Sequence, residues 1–398
     1  MVTNKKIILG VCGGIAAYKA IELLRLLTKA GADVHVIMTR AAQEFVTPLT
    51  FQTLSSNPVH TGLFNLIAER EIGHISLADQ ADLFVVAPAT ANIIGKIAVG
   101  IADDMLTTTV MATKAPVLFA PAMNVNMFTN PIYQENEQKL RRLGYLFVDP
   151  VRGSLACGWE GEGKLASPEA IFEGISAALT EKDLLARTIL ITAGPTREEI
   201  DPVRYISNHS SGKMGYALAR AARRRGAKVL LISGPTALAA PDGVQVVNVT
   251  SASEMYREVM ARVGECDVII KAAAVADYRP MVRNATKIKK KAESATIDLV
   301  KNPDILAELG GMQHRPFLVG FAAETDTLAE NAEKKLREKK LDMIVANDVS
   351  QPDAGFNVDT NRALLLFRDG SSSHCGLMSK DQLAGAILDH VAVRLMSH

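Results

Sequence analysis

The chain has 398 residues, of which 48% are hydrophobic and 22% charged, as expected for a globular protein of two to three domains. Its formal net charge of +1 excludes a general electrostatic attraction to nucleic acid or to an anionic membrane. The four scattered cysteines show no metal-ligand spacing, no signal peptide is recognisable, and no apolar run reaches the ~18 residues of a transmembrane helix, so we expect a soluble cytoplasmic protein with free thiols.

The first part of the chain alternates predicted strands and helices. Strands are predicted at 5–11, 33–39, 81–90, 115–124 and 145–150, and helices at 16–30, 41–54, 91–100, 103–113, 132–143 and 167–181. This alternation predicts a doubly wound, mostly parallel sheet with helices on both faces. Ligands of such sheets bind beyond the carboxyl ends of the strands, where small polar residues form four loops, 12–15, 39–40, 87–92 and 121–126.

These loops suit a flat ligand that carries a phosphate, but each candidate residue in this part of the chain also fits a structural role. Gly13 and Gly14 are not part of a GxGxxG motif, and a tight strand–helix turn accounts for them equally well. His74 has apolar neighbours and is compatible with a structural role. Residues 153–164 contain four glycines and predict a mobile flap. A thiol on such a flap, Cys157, could supply a proton or have no role.

The second part of the chain starts an α/β domain again. Strands are predicted at 187–193, 228–234, 244–250, 266–274, 317–323 and 343–349, helices at 213–225, 252–263, 304–309, 327–340 and 380–395, and a late β-hairpin turning at Asp369-Gly370. The predicted domains are therefore 1–181 and 188–398, joined by a linker at 182–187.

A Gly/Ser-rich loop of about 20 residues lies between the first strand and first helix of the second domain, and loops of that length are usually functional. Backbone N–H groups at such a helix start can bind an anion. The basic run that begins at Lys287 is either a solvated surface or a phosphate site. Lys335 and Lys339 are four residues apart, so they could bind one anion or form surface ion pairs with Glu333 and Glu338.

Eleven segments in order carry a resemblance that covers nearly the whole chain. They are GGIAAYK, GHISLAD, APATAN, PAMN, GSLACGWEGEG, ITAGPTREEIDPVRYISNHSSGKMG, AAVADYRP, KIKK, VKNPDI, GFAAET and ANDVS. Together they resemble the bifunctional phosphopantothenoylcysteine decarboxylase/phosphopantothenate–cysteine ligase family of coenzyme A biosynthesis. The resemblance implies a flavodoxin-like or Rossmann-like flavoprotein domain followed by a Rossmann-like ligase domain.

For the first domain the resemblance implies an FMN-dependent decarboxylase. His74 would be its catalytic histidine, Asn124 would hold the substrate carboxylate, and Cys157 would return a proton. Oxidation of the thiol side to a thioaldehyde lets CO₂ leave as an enethiol forms, which is then reduced. The implied FMN-binding residues are Gly13, Gly14, Ile15, Thr39, Ala89, Thr90 and Asn92.

For the second domain the resemblance implies a ligase that joins cysteine to 4′-phosphopantothenate with CTP and Mg²⁺ through an acyl-cytidylate. Asn208 would act on that intermediate, and Lys287 would stabilise phosphate charge. The remaining implied binding residues are Ser211, Gly212, Lys213, Asp277, Asn302, Pro303, Asp304, Ile305, Phe321, Lys335 and Lys339. Metal ligands are not indicated. In the family the flavin site lies between subunits of a trimer and the ligase half dimerises, which predicts a homo-oligomer and permits a dodecamer.

Two other classes make different predictions. A duplicated NAD-dependent oxidoreductase requires GxGxxG and an acidic residue about 20 positions later, and neither glycine-containing loop has that pattern. A non-catalytic flavoprotein subunit predicts the loss of His74 or Cys157, and both residues are present.

Overall fold

A computed structural model describes residues 2–63, 73–154, 158–289, 296–324, 328–348, 355 and 358–396. The chain divides into two compact units, Met1–Thr180 and Glu181–His398. Within the described residues, no helix has the length and apolar character needed to cross a membrane. Cys157 and the basic residues Lys290 and Lys291 lie outside the described ranges.

The first unit is built on a six-stranded parallel sheet with the order β3-β2-β1-β4-β5-β6. Its strands are β1 (Lys6–Val11), β2 (Asp33–Met38), β3 (Val59–His60), β4 (Leu83–Ala89), β5 (Val117–Pro121) and β6 (Leu146–Phe147). Every residue of β4 is buried, as expected for a central strand covered on both faces. This is the strand order of a Rossmann sheet, and the predicted fold class is confirmed.

Helices cover both faces of this sheet. They are α1 (Lys19–Lys29), α2 (Arg40–Gln43), α3 (Pro48–Ser55), α4 (Gly73–Gln80), α5 (Ala91–Val99), α6 (Met105–Ala112), α7 (Val125–Phe128), α8 (Pro131–Arg142) and α9 (Pro168–Ala178). Helices α1 and α9 pack on one face, and α5, α6 and α8 pack on the other. The predicted helix 16–30 differs at its start, because Ile15–Tyr18 forms a 3₁₀ turn before α1.

A hairpin outside the main sheet, β7 (Val151–Ser154) and β8 (Glu160–Lys164), overlaps the region 153–164 that was predicted to be a mobile flap. Close packing accounts for two of its glycines. A Cβ on Gly163 would lie 2.5 Å from the Met123 carbonyl oxygen, and a Cβ on Gly161 would lie 2.6 Å from Cγ2 of Val125. The Met123 N–H donates to the Gly163 carbonyl at 2.9 Å. The hairpin therefore packs directly on the loop that follows β5.

The second unit contains twelve strands within the described residues. They are β9 (Thr188–Ala193), β10 (Arg197–Glu199), β11 (Tyr205–Ser207), β12 (Lys228–Ser233), β13 (Gln245–Asn248), β14 (Val268–Lys271), β15 (Tyr278–Pro280), β16 (Leu299–Lys301), β17 (Phe317–Glu324), β18 (Met343–Asp348), β19 (Thr360–Phe367) and β20 (Ser372–Ser379). The main sheet has the order β13-β12-β9-β14-β17-β18-β19-β20. Its first six strands are parallel and repeat the Rossmann order.

The last two strands form the predicted late hairpin, which is confirmed. Strand β19 pairs antiparallel with both β18 and β20. At the turn, the Ser371 N–H donates to Oδ1 of Asp369 at 2.8 Å, and Gly370 has a positive φ of 84°. The long loop after β9 is not structureless as predicted, because β10 and β11 pair antiparallel inside it.

Five helices cover the main sheet of the second unit within the described residues. They are α10 (Lys213–Arg224), α11 (Ala252–Met260), α12 (Ile305–Gly311), α13 (Leu328–Glu338) and α14 (Lys380–Met396). Helices α10 and α14 cover one face, and α11, α12 and α13 cover the other. Adjacent strand residues therefore contact different cores: Ile270 packs with α10 and α14, whereas Ile269 packs with the other three helices.

The segment predicted to be a linker, 182–187, is bound to the second unit. Leu184 is only 1% exposed and belongs to the core beneath α10 and α14. Nε of the buried Arg225 donates to Oδ1 of Asp183 at 2.8 Å, and Nζ of Lys182 donates to the Arg224 carbonyl at 2.6 Å. Burial of this leucine stabilises the packing of the predicted linker on the second unit.

Candidate active sites

The carboxyl edge of the first sheet changes direction between its two central strands. Strands β1 and β4 are neighbours, yet the chain leaves β1 towards α1 on one face and β4 towards α5 on the other. Such a switch point opens a crevice at the strand ends. Thr90 follows β4 and caps α5, its Oγ1 accepting from the Ile93 N–H at 3.4 Å.

A cavity of about 510 Å³ lies at this edge. Four residues predicted from the sequence line it together: Gly14, Ile15, Thr90 and Asn124. Its wall also includes Tyr18, Lys19, Pro88, Met123, Ser154, Gly163, Lys164 and Leu165, which sequence reasoning did not select. Tyr18 and Lys19 belong to the GGIAAYK segment, and Ser154 and Lys164 belong to the hairpin. These two segments of the sequence could therefore have pointed to the additional wall residues.

Other predicted flavin residues have local structural roles. A Cβ on Gly13 would lie 2.5 Å from the Cβ of Ala41, so this glycine allows close helix packing. Thr39 caps α2, with its Oγ1 accepting from the Ala42 N–H at 3.2 Å. Ala89 is buried, and Asn92 is exposed on α5. None of the four lines the cavity.

His74 lies in the first turn of α4, away from the cavity wall. Its Nδ1 is buried and has no hydrogen-bond partner among the described residues. A buried polar atom without a partner is unusual in a native protein. Asn124, in contrast, lies on the wall at the start of α7, where its Oδ1 accepts from the Asn126 N–H at 2.8 Å. The structure therefore does not bring His74 and Asn124 of one chain into the same cavity.

A buried thiol lies beneath the same edge. Burial raises the pKa of Cys12 to about 12, although hydrogen bonds with Thr90 act in the opposite direction. Cys12 is therefore a protonated core residue at neutral pH, with no thiolate available for chemistry.

The second unit has a cavity of about 560 Å³ at the equivalent edge, beyond β14, β17 and β18. Eight predicted residues line it together: Asn208, Ser211, Gly212, Lys213, Asp277, Phe321, Lys335 and Lys339. Sequence reasoning missed six polar residues of its wall, His209, Ser210, Lys271, Asn347, Asn361 and Lys380. Asn347 lies in the ANDVS segment and Lys271 immediately precedes AAAVADYRP, whereas Asn361 and Lys380 had no motif around them.

One end of this cavity lies on the side of α12 and α13. Lys339 forms an ion pair with Asp304, with Nζ 2.9 Å from Oδ2. Asp304 also caps α12, its Oδ1 accepting from the Ala307 N–H at 3.1 Å. Burial, the largest single effect, would raise the pKa of Asp304, but the hydrogen bonds from Lys339 and the Ala307 N–H and the nearby lysine charges together lower it. Lys335, one turn before Lys339, lies on the same wall.

The other end lies where α10 and α14 begin. Lys213 pairs with Asp359 at 2.7 Å, and Nζ of the buried Lys380 donates to the Gly355 carbonyl at 2.9 Å. Burial, followed by the charge of Lys213, lowers the pKa of Lys380. Oδ1 of Asn347 and Oδ1 of Asn361 are both buried and have no partner among the described residues. This end of the cavity combines ammonium groups with side-chain amides that can hydrogen-bond a polar ligand.

Asn208 and Asn302 fix the loop that follows β14. Nδ2 of Asn208 donates to the Ala274 carbonyl at 3.2 Å, and Nδ2 of Asn302 donates to the Ala276 carbonyl at 2.8 Å. The N–H of Asn302 also donates to the Asp277 carbonyl at 2.8 Å. Asn302 therefore positions Asp277 without lining the cavity, and neither Pro303 nor the buried Ile305 lines it.

Lys287 is exposed and does not line this cavity. The next residue, Ile288, is held by a turn at Asp201–Arg204 that sequence reasoning missed. The N–H of Ile288 donates to Oδ2 of Asp201 at 3.1 Å, and the Ile288 carbonyl accepts from Nη2 of Arg204 at 3.0 Å. The hydrogen bond from Arg204 holds the pKa of the buried Asp201 well below its usual range. The DPVRY sequence within the long loop was the available signal.

Among the described residues, no group of three or more His, Cys, Asp or Glu side chains could hold a metal ion.

Comparisons with known proteins cover both units. The Flavoprotein family model matches residues 1–180, and the DNA/pantothenate metabolism flavoprotein C-terminal domain model matches residues 184–395. The coenzyme A biosynthesis bifunctional protein CoaBC of Vibrio cholerae is 50% identical over 388 residues, which are 97% of each chain. That of Bacillus subtilis is 49% identical over 396 residues, 98% of each chain. A crystal structure of a CoaBC C-terminal domain, with 44% identity and a TM-score of 0.48, covers 55% of this chain and all of its own.

Proposed function

This chain belongs to the family of coenzyme A biosynthesis bifunctional proteins, and on that basis we propose that its two cavities catalyse successive steps. The second unit would ligate cysteine to 4′-phosphopantothenate with CTP and Mg²⁺. The first would convert the resulting phosphopantothenoylcysteine to 4′-phosphopantetheine with FMN. The observation that carries this proposal is the presence of one cavity at the switch point of each Rossmann sheet.

The residues of the first cavity fit FMN. No atom lies within 4 Å of the position that a Cβ on Gly14 would take, so a ring or phosphate can approach the backbone there. Ile15 and Thr90 would form the adjoining walls. When bound, FMN supplies the oxidation and later reduction that decarboxylation of an acylcysteine needs.

The chain's own residues would orient the substrate and move protons. Asn124 can donate through its Nδ2 to a substrate carboxylate, because its Oδ1 is engaged by the cap of α7. His74 would assist proton movement at the substrate thiol, because an imidazole can both accept and donate a proton. Cys157 would return a proton to the enethiol.

The separation of His74 from its own cavity supports a site shared between subunits. Nδ1 of His74 has no partner among the described residues, and the cavity of the same chain contains Asn124 but no histidine among its described lining residues. A cyclic trimer provides identical head-to-tail contacts, so each cavity would receive the partner subunit's His74. This arrangement would satisfy the buried nitrogen and complete the site together.

In the second cavity the substrate carboxylate would attack the α-phosphorus of CTP and release pyrophosphate. The amine of cysteine would then attack the acyl carbon and release CMP. Lysines on the cavity wall suit the phosphates, and Asn208, held against the loop after β14, would act on the acyl-cytidylate. Lys287 is exposed on its own unit, so its proposed contact with phosphate favours the dimeric ligase expected of the family.

The full-length chain tests both activities directly. Purified protein should absorb near ~450 nm because of bound FMN. It should form phosphopantothenoylcysteine from 4′-phosphopantothenate, cysteine and CTP, and decarboxylate added phosphopantothenoylcysteine. Expression of 1–181 and 182–398 separately then assigns each activity to a unit. Flavin in the second fragment, or CTP-dependent ligation by the first, would contradict the assignment.

A further inference from the structure

Lys271 is the last residue of β14 and lies on the wall of the second cavity. Its alternation with Ile269 and Ile270 places it on the α12–α13 side of the sheet, since Ile269 packs with that core. Leu306, Leu341 and Ile344 line the same part of the cavity. The ammonium is thus held in largely apolar surroundings, close to the edge where a ligand binds.

Charged groups from three parts of the second unit face Lys271. Lys335 lies on α13 and Lys339 directly after it, Asp304 directly precedes α12, and Asp277 lies in the loop after β14. Lys339 and Asp304 already pair with each other at 2.9 Å. No hydrogen bond or ion pair joins Nζ of Lys271 to another described residue. The ammonium of Lys271 therefore lies on the cavity wall without an ion-pair partner among the described residues.

We propose that Lys271 binds a phosphate group of the nucleotide, as a third cationic contact beside Lys335 and Lys339. The inference rests on the proposed ligase function, since it identifies the contact within the same cavity. A phosphate would supply the anionic partner that no described residue gives to Nζ of Lys271. A half-buried ammonium attracts an anion more strongly than an exposed ammonium does, because its surroundings screen the attraction less.

The pKa of Lys271 gives this contact a pH dependence. Burial, with the charge of Lys339 as the next cause, lowers the pKa to about 8, although Asp304 and Asp277 act in the opposite direction. A bound phosphate favours the protonated form and raises the pKa. Nucleotide affinity therefore falls as the pH rises above about 8, and binding takes up a proton there.

The test uses full-length protein and isothermal titration calorimetry with CTP, cytidine and inorganic tripolyphosphate, all at one Mg²⁺ concentration. For Lys271→Met at pH 7 we expect the Kd for CTP and tripolyphosphate to rise about ten- to hundredfold, the usual effect of losing a hydrogen bond to a charged group. Cytidine binding should not change. The matched control is Lys334→Met, on the solvent side of α13, where 70% of the side chain is exposed.

The pH readout separates phosphate contact from a structural role. The affinity of the wild type for CTP should fall between pH 7 and pH 9. In Lys271→Met this fall should be smaller, and the proton uptake on CTP binding that is due to Lys271 should disappear. Lys271→Arg keeps the charge without titrating in this range, so it should retain affinity at pH 9. In the unliganded protein, Lys271→Met should raise the melting temperature of the second unit, because a buried charge is removed.

Three results would overturn the inference: unchanged CTP and tripolyphosphate binding by Lys271→Met, an equal loss of cytidine binding, or a lower melting temperature with all ligands affected alike. A wild type that binds tripolyphosphate but not CTP would contradict the proposed nucleotide while supporting the phosphate contact. These outcomes distinguish failure of this inference from failure of the proposed function.

Discussion

The two cavities occupy the same place in two sheets with the same strand order, but their walls differ in charge. The first is lined largely by small and apolar residues, with Lys19 and Lys164 as its lysines among the described residues. The second has five lysines on its described wall, Lys213, Lys271, Lys335, Lys339 and Lys380. One topology thus provides a crevice for either a flat cofactor or a highly charged nucleotide, and side chains decide which.

The cavities also differ in the predicted residue that each lacks within one chain. The second cavity gathers Asn208, Asp277 and Phe321 from separate loops and strands but does not contain Lys287. The first contains Asn124 but not His74, although both were predicted for the same reaction. A site that needs a cofactor and a neighbouring subunit cannot be recognised as a full set of residues in one chain.

The largest expected effect tests this difference by complementation. His74→Asn and Asn124→Asp should each abolish decarboxylation, and the carboxylate introduced by the second substitution would still cap α7. When the two full-length variants are co-expressed equally, about a quarter of shared sites should combine an intact cavity with an intact histidine, given random cyclic assembly. Decarboxylation by the purified mixture measures this. Each variant alone is the control, and no recovery in the mixture would place the whole site within one chain.

For Lys287→Gln we expect the ligation rate to fall roughly 10²–10³-fold, which is typical of losing one charge-stabilising contact in a transition state. Formation of the acyl-cytidylate should slow, so pyrophosphate release without cysteine should fail. Asn208→Asp should still release pyrophosphate but react poorly when cysteine is added, because its carboxylate would face the intermediate. Both variants should decarboxylate added phosphopantothenoylcysteine normally. Failure of both at pyrophosphate release would assign Asn208 to nucleotide binding or folding.

Local sequence predicted the sheets well because their strands are short β-branched runs separated by helical spacing and glycine turns. It could also place Lys335 and Lys339 on one helical face, although only the family resemblance favoured an anion site there over surface ion pairs. Asn361 and Lys380 were not predictable, because their burial depends on β19 and α14 packing beside distant strands. The role of the hairpin glycines was missed for the same reason, since Gly161 and Gly163 make their close contacts with residues 125 and 123.

The predicted linker packs on the second unit through the buried Leu184, and this gives a test on stability. Leu184→Ala should lower the free energy of unfolding of the second unit by about 2–5 kcal/mol, as usual for a buried leucine. The adjacent Leu185 is 69% exposed, so Leu185→Ala should change the free energy of unfolding of the second unit by less than about 0.5 kcal/mol. Calorimetric scans of the full chain should show the shift in the second unit's transition only. Equal effects of both substitutions, or a shift of the flavin-bearing unit, would contradict the observed packing.

The smallest effect concerns the buried thiol of the first unit. Cys12→Ala should leave FMN binding and decarboxylation unchanged and cost about 1 kcal/mol at pH 8, since a small buried group is lost. The pKa of Cys12 is raised to about 12 from 9.0, so the wild-type thiol favours the folded state below pH 9, and this contribution is lost as the pH rises towards 12. The stability gap between wild type and variant should therefore narrow above pH 9, by at most about 1.4 kcal/mol per pH unit.

Urea unfolding at pH 8 and pH 10 measures that gap, and iodoacetamide labelling at pH 8 gives an independent readout. Burial raises the pKa of Cys266 to about 11 and also raises that of Cys375, so neither thiol should compete for the reagent. Cys157 should then react first if it is the proton donor predicted from the sequence. Labelling of Cys12 ahead of Cys157, or loss of decarboxylation in Cys12→Ala, would assign the reactive thiol to Cys12 and reverse the roles proposed for these two cysteines.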